Sequence, residues 1–516
     1  MGGGGAELVG AVDQGTQSTR FTLYGVDGAV VAKHQLEHPQ VLPRAGWVEH
    51  DPAAIMANVW ACIEGATAAA RERLGEVRVR AVGVTNQRET VVAWDRATGR
   101  PLHNAVVWMD LRTSEISAKL AERLGSKDAL RGATGLPFST YFSGLKIRWL
   151  LDHVPEVQRA AGEGRCCFGT IDSWVIFNLT GGGSDGGRFC TDVSNAARYL
   201  LMNLETRRWD PECLQAFGID PGTLPEIVSC AEVYGTVCRG CLEGVPVSGS
   251  VGDQQAATLG QRCREGEAKN TYGTGLFLLM NTGTSIVPST HGLLTTVAFQ
   301  LGKDAPTQYA LEGSVATGGL AVSWLRDQLG LIGGPEDVEP VASSVPDTAG
   351  VCFVPAFSGL LAPHWREDAR GAILGLTQYS SRAHIVRATL EALAFQSKDV
   401  LEAMAKDAGR PIKALRVDGG ASRNNLLMSL QADLAGVTVE RPSDIETTSR
   451  GAALAAGVGA GVWTAEEVFS PGFGSSGDVK TFAPGIAGAE REQRANRWAA
   501  AVQRSFGWAQ TDAPDV

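Results

Sequence analysis

The sequence has no long block of Lys or Arg, and its formal net charge is −10. Both facts argue against nucleic acid or an anionic membrane surface as a main partner. No run of about 18 apolar residues occurs, so nothing in the sequence reads as a membrane span. The start, MGGGGAELVG, lacks the basic and apolar regions of a secretory signal. Ala6 stands where a myristoylation site needs Ser or Thr. Residues 1–6 are therefore expected to form a disordered leader. The ten cysteines are scattered, which predicts reduced thiols and a cytoplasmic protein rather than a disulfide framework. A single CxxC, Cys238 to Cys241, has no second pair nearby to complete a four-ligand zinc site. The P-loop pattern GxxxxGK followed by Ser or Thr is missing. The one GxGxxG, Gly472 to Gly477, follows Ser-Pro rather than a strand and reads as a chance loop.

What is present is ordinary globular material in two halves. The chain has 516 residues, 44% hydrophobic and 20% charged, which is too long for one core. Leu8 to Val12, Phe21 to Tyr24 and Val30 to Ala32 read as a β-meander with turns between. A helix is expected from about Ala53 to Leu74, and a strand in RVRAVGV. The second half opens again as strand, glycine turn and strand, in NTYGTGLFLLMNTG. Later, Val386, Leu390, Leu393, Leu401 and Met404 recur at helical steps. Leu426, Leu427, Leu430 and Leu434 form another stripe, which Gly436 ends. The reading is two α/β domains, residues 7–260 and 261–510, facing a cleft.

Five polar stretches could carry chemistry. DQGTQSTR, Asp13 to Arg20, and TYGTG, Thr271 to Gly275, are glycine turns between strands, rich in donors. Backbone N–H groups and hydroxyls in such turns can cradle a polyphosphate. Asp13 would then face an anion, which is unfavourable unless a cation such as Mg²⁺ lies between. VDGG, Val417 to Gly420, lets a ligand approach the backbone at a strand end. TNQRE, Thr85 to Glu89, reads either as a solvated strand end with a surface ion pair or as a polyol site. In GDQQA, Gly252 to Ala256, Asp253 is either a helix N-cap or a general base.

These stretches occur in order with GWVEHDP, NAVVW, TYFSGLKIRWLLDH, FGTIDSWVI, ALEGSVA, ARGAILGLT and RVDGGASRNNLLM. Together they resemble the FGGY carbohydrate kinases, and among them the members that phosphorylate glycerol. The likeness covers roughly residues 7 to 507. It implies two actin-like (ribonuclease H-like) α/β domains, each a mixed sheet flanked by helices, with the active site in the cleft. It implies ATP and Mg²⁺ as cofactors, glycerol as substrate and sn-glycerol 3-phosphate as product. That product serves glycerol catabolism and lipid synthesis. It implies a homo-oligomer, dimer or tetramer.

Carried over residue by residue, Thr16, Gln17, Ser18 and Arg20 belong to the first phosphate loop and Thr274 to the second. Gly319, Gly420 and Asn424 match nucleotide contacts, and Asp13 the residue that approaches Mg²⁺. Arg88, Glu89, Tyr141, Asp253 and Gln254 match the set that bonds the acceptor hydroxyls. Trp108 and Phe277 match its apolar wall, and Asp253 the catalytic base. Ser323, His364, Ser449 and Arg450 depart from the family pattern. Gly244 stands where members inhibited by fructose 1,6-bisphosphate carry an arginine, so weak inhibition is expected. Segments such as FGTIDSW and EGVPVSG resemble eukaryotic members more than bacterial ones.

Overall fold

The computed structural model describes residues 5–183, 185–470, 472–474 and 479–509. The meander forms as expected. β1 (Ala6–Gln14), β2 (Ser18–Gly25) and β3 (Val30–Glu37) pair antiparallel in succession. β1 starts at Ala6, inside the stretch expected as a leader, whose residues 1–4 lie outside the described residues. The GxGxxG segment also runs partly outside them, at 475–477.

Helix α1 (Pro52–Leu74) has sound reasons to start and stop where it does. The Asp51 carboxylate accepts from Ala53 N–H, Pro52 opens the first turn, and Gly75 closes the last. Its length and apolar composition would suffice to cross a membrane, which the search for apolar runs missed. Here Ile55, Val59 and Ile63 are buried and the helix packs on β2 and β3. That is the environment of a core helix.

β4 (Val77–Asn86) runs parallel to β1. With β5 (Ala231–Thr236) and β6 (Pro246–Gly252) the first sheet has the order β5-β6-β4-β1-β2-β3. A smaller four-stranded sheet is formed by Glu49–His50, Ala105–Val106, Val91–Asp95 and Cys166–Thr170, the last three lying between β4 and β5 in sequence. Helix α2 (Asp253–Gly260) follows β6 directly.

The second sheet repeats the plan. Its first strands are β7 (Ala268–Tyr272), β8 (Leu276–Gly283), β9 (Leu294–Phe299) and β10 (Gln308–Val315). α3 (Gly319–Asp327) and α4 (Arg382–Ala408) follow. Then come β11 (Leu415–Asp418), α5 (Asn425–Ala435), β12 (Val439–Arg441), α6 (Thr447–Gly459) and β13 (Lys480–Phe482). The order is β9-β10-β8-β7-β11-β12-β13. In both sheets the first strand pairs antiparallel with the second and parallel with a later one. The two donor-rich glycine turns, β1–β2 and β7–β8, therefore occupy equivalent places.

Helix α6 comes late in the chain but packs on β1, β4, β6 and α2. The approach is close enough to demand small residues. A Cβ on Gly83 would lie 2.2 Å from Ala452 O, and one on Gly451 1.9 Å from Ala256 O. This is why the helix reads GAALAAG. One core fills each sheet's helix-covered side, and a third joins Val9, Ala11 and Val251 of the first sheet to Leu279, Ala310 and α6.

Candidate active site

TNQRE is neither a solvated strand end nor a surface ion pair. Arg88 and Glu89 are 2% and 1% exposed. Adjacent residues of a strand point to opposite faces, but β4 ends at Asn86 and Glu89 adopts φ 61°. That kink turns both side chains into one site, with Arg88 Nε 3.9 Å from Glu89 Oε1.

Arg88 is the hub. Its Nε lies 3.2 Å from Asp253 Oδ1. Nη1 donates to Gln255 Oε1 at 3.2 Å and to Glu312 Oε2 at 2.7 Å. Nη2 donates to Tyr141 OH at 3.3 Å and to Glu312 Oε1 at 2.8 Å. Arg198 donates from Nε to Glu89 Oε1 at 2.5 Å and from Nη1 to Glu312 Oε2 at 3.2 Å. Lys146 Nζ holds the Thr140 and Tyr141 carbonyls, at 2.9 and 2.5 Å, and so fixes Tyr141 from behind.

Asp253 does not cap its helix. Gly252 occupies the N-cap position, and Asp253 Oδ1, besides facing Arg88, accepts from its neighbour Gln254 N–H at 2.7 Å. Burial raises the Asp253 carboxyl above the ordinary range, while Arg88 and Lys269 act to lower it. A carboxylate made more basic by its surroundings suits proton abstraction. Gln254 accepts from Lys269 Nζ, which also donates to Thr271 Oγ1 at 2.9 Å. Burial pulls the Lys269 ammonium down to about 8, against the carboxylate of Asp418.

The apolar wall assembles from both domains. Trp108 lies 5.6 Å from Tyr141 and 6.3 Å from Phe277, ring centre to ring centre, both in edge contacts. The Trp108 indole N–H donates to Thr16 Oγ1 at 3.0 Å, which ties the wall to the first loop. Gln87 ties TNQRE to the same loop through Gln14 Oε1 and Gly15 O, at 3.0 and 3.1 Å. Within the loop Gly15 N–H meets Ser18 O at 2.9 Å, and Gln17 and Ser18 lie at its outer side.

The residues expected on the nucleotide side fall into two groups that touch. Gly318 N–H bonds Thr274 O and Gly319 N–H bonds Gly273 O, each at 2.8 Å, so the second loop seats on the start of α3. Gly419, at φ 84°, presses on Tyr272, since a Cβ there would lie 2.5 Å from Tyr272 O. Gly420 beside it is exposed with open space around it. Asn424 spends its side-chain oxygen on capping α5, accepting from Leu427 N–H at 2.8 Å. Arg20 is engaged by Glu446 and by Gln35, the latter at 3.0 Å.

Asp13 sits 3.8 Å from Arg20. Burial pushes its carboxyl up to about 6; Arg20 opposes this, and Glu446 and Asp253 reinforce it. A carboxyl raised by neighbouring carboxylates suits a cation. No group of three or more candidate ligands gathers among the described residues. A Mg²⁺ ion would accordingly use Asp13 with phosphate and water oxygens, which matches its preference. Cys238 and Cys241 are free thiols in no such group.

Four buried charges of this site went unnamed in the sequence: Lys146, Arg198, Lys269 and Glu312. Lys269 and Glu312 are each the single charge of an otherwise uncharged, largely buried strand, AKNTY and QYALEGSV. Of the departures, Ser323 is half-buried in α3. His364 pairs with Asp399 at 3.3 Å, and Arg450 donates to Gly474 O at 2.9 Å.

The model of the FGGY family of carbohydrate kinases matches in both parts, the N-terminal domain over residues 8–260 and the C-terminal domain over 268–460. A glycerol kinase of Arabidopsis thaliana is 50% identical over 511 residues, covering 97% of this chain and 98% of that protein. Glycerol kinase 2 of Streptomyces avermitilis is 51% identical over 507 residues, covering 98% of each. Plant and bacterial relatives thus stand level in overall identity. The crystal structure of Plasmodium falciparum glycerol kinase with ADP superposes with a TM-score of 0.90 at 38% identity, over 97% of this chain and 98% of that one. A ligand-bound xylulose kinase from Lactobacillus acidophilus shares the fold at 22% identity, with a TM-score of 0.84 over 97% of this chain and 99% of that one.

Proposed function

The chain belongs to the FGGY family of carbohydrate kinases, and from that premise we propose that it transfers the γ-phosphoryl group of ATP to glycerol, giving sn-glycerol 3-phosphate and ADP. The observation that carries this reading is the constellation of buried Arg88 and Glu89 with half-buried Tyr141 and Asp253, beside the Trp108–Phe277 wall. A three-carbon triol needs donors and acceptors for its hydroxyls and an apolar face for its carbons. A site built to bond hydroxyls rejects analogues that lack them.

In this reading Asp253 takes the proton of the attacking hydroxyl as its oxygen bonds the γ-phosphorus. Arg88 and Glu89 hold the remaining hydroxyls, and Tyr141 and Gln254 complete the set. The turns at Thr16–Ser18 and at Thr274 hold the phosphates, and Gly319, Gly420 and Asn424 border the nucleotide. Arg20, engaged by Glu446 and Gln35, shapes the first loop. Mg²⁺ at Asp13 would neutralise charge on the transferring group. Closure of the domains excludes water, the competing acceptor. Ten free cysteines support a reducing, cytoplasmic setting. A homo-oligomer follows only from the family resemblance.

A coupled assay with Mg-ATP and glycerol, dihydroxyacetone or xylulose as acceptor tests the reading. Glycerol should give the highest kcat/KM. Preference for xylulose would overturn it.

A further inference from the structure

Glu312 lies on β10, in the middle of the second sheet, paired in register with Leu279 of β8 and Leu294 of β9. Its carboxylate is fully buried, and its partners Arg88 and Arg198 both belong to the first domain. The grip on Arg88 is two-pronged, at 2.7 and 2.8 Å, the geometry that a planar guanidinium accepts best. Arg198 takes the same carboxylate at 3.2 Å and turns its Nε to Glu89. Arg198 also stacks 5.4 Å from the Tyr141 ring. So one carboxylate of the second domain orients, directly or through Arg198, three first-domain side chains assigned to the acceptor.

A buried guanidinium without a carboxylate is costly, and a buried carboxylate without a guanidinium equally so. Glu89 and Asp253 partner the two guanidinium groups from within the first domain, but the carboxylate that both arginines share comes from the second, so the cluster is complete only when the domains are together. We propose that Glu312 is a positioning residue that couples domain closure to acceptor binding, holding Arg88 and Arg198 in place from the nucleotide-side domain. This rests on the reading of Arg88, Glu89 and Tyr141 as acceptor ligands.

The test uses the full-length protein and its E312Q and E312D variants. Glycerol affinity is measured by calorimetry with and without a non-hydrolysable Mg-ATP analogue, alongside KM for both substrates and the melting temperature. In the wild type the analogue should tighten glycerol binding severalfold. In E312Q that tightening should vanish and the glycerol KM should rise at least about 10-fold. Nucleotide affinity without glycerol should change less than about 2-fold, while its tightening by glycerol should vanish with the same coupling. E312D keeps the charge and should recover part of the glycerol KM, and it reads the same coupling where E312Q does not fold. The inference is overturned if the analogue leaves wild-type glycerol affinity unchanged. It is equally overturned if the folded variants keep wild-type coupling and glycerol KM, even with a lowered melting temperature. Should the wild type fail to phosphorylate glycerol at all, the proposed activity fails instead.

Discussion

The indole N–H of Trp108 donates to the hydroxyl of Thr16 at 3.0 Å. One residue is assigned to the wall of the acceptor pocket, the other to the first phosphate loop. With the Gln87 bonds to Gln14 and Gly15, this hydrogen bond joins the two proposed substrate sites. Trp108→Phe keeps an apolar ring and deletes that bond. About 1 kcal/mol is at stake, or roughly 5-fold. Steady-state kinetics should show KM for ATP rising by about that factor together with the glycerol KM. An unchanged ATP KM would mean that Thr16 is held well enough without it.

Asp253→Asn should cost on the order of 10²- to 10⁴-fold in kcat. The helix should survive the change, because Gly252 rather than Asp253 is its N-cap. Calorimetric glycerol binding and the melting temperature should thus stay near wild type. Near-normal turnover in this variant would remove Asp253 from the role of base.

Lys269 bears on the pH profile. A base works only when ionised, so turnover falls as pH drops through the Asp253 pKa. Burial has raised that pKa, and the Lys269 cation partly restrains the rise. Lys269→Met removes the restraint. The acid limb of kcat should move to higher pH, by about 1 unit. A limb that stays put or moves down would show that Lys269 acts only by holding Gln254.

His50 makes stability depend on pH. Its ring is buried beside Gln87 under the first loop, and burial pulls the imidazole from 6.5 down to about 4. The unfolded chain takes up this proton near pH 6.5, and the folded chain resists it until about 4. Stability from this residue is therefore present above pH 6.5 and is lost as pH falls toward 4. The full loss is at most about 3 kcal/mol. His50→Gln should flatten the melting-temperature curve between pH 7 and 5 relative to wild type. Parallel curves would count against the assignment.

Gly244 sits at φ 81° and presents no side chain to the loop that contains it. Fructose 1,6-bisphosphate should inhibit weakly or not at all. Half-inhibition at micromolar ligand in a steady-state assay would show that another cation takes the place of the missing arginine.

The outline of the fold and the positions of the glycine turns were legible because they depend on local signals. Alternation of apolar residues marked β1–β3, and glycine marked the loops. The stripes Val386 to Met404 and Leu426 to Leu434 became α4 and α5. TNQRE was ambiguous for a physical reason. Burial of Arg88 depends on Glu312, 224 residues away, and no window of sequence holds both. The helix start at GDQQA was ambiguous in the same way. Only the backbone decides whether Gly252 or Asp253 is the cap.

The sequence by itself determined which segments are strands, which turns carry donors, and, through a series of motifs in order, the family. These properties are written in neighbouring residues and in periodicity. The tertiary structure alone decided how the charges are shared. It turned Glu89 through a positive φ to stand with Arg88, brought Arg198 and Glu312 to the same point from distant segments, and spent Arg20 on Glu446. A buried charge persists only where partners satisfy it, and those partners are chosen by the packing of two sheets and the helix α6 between them.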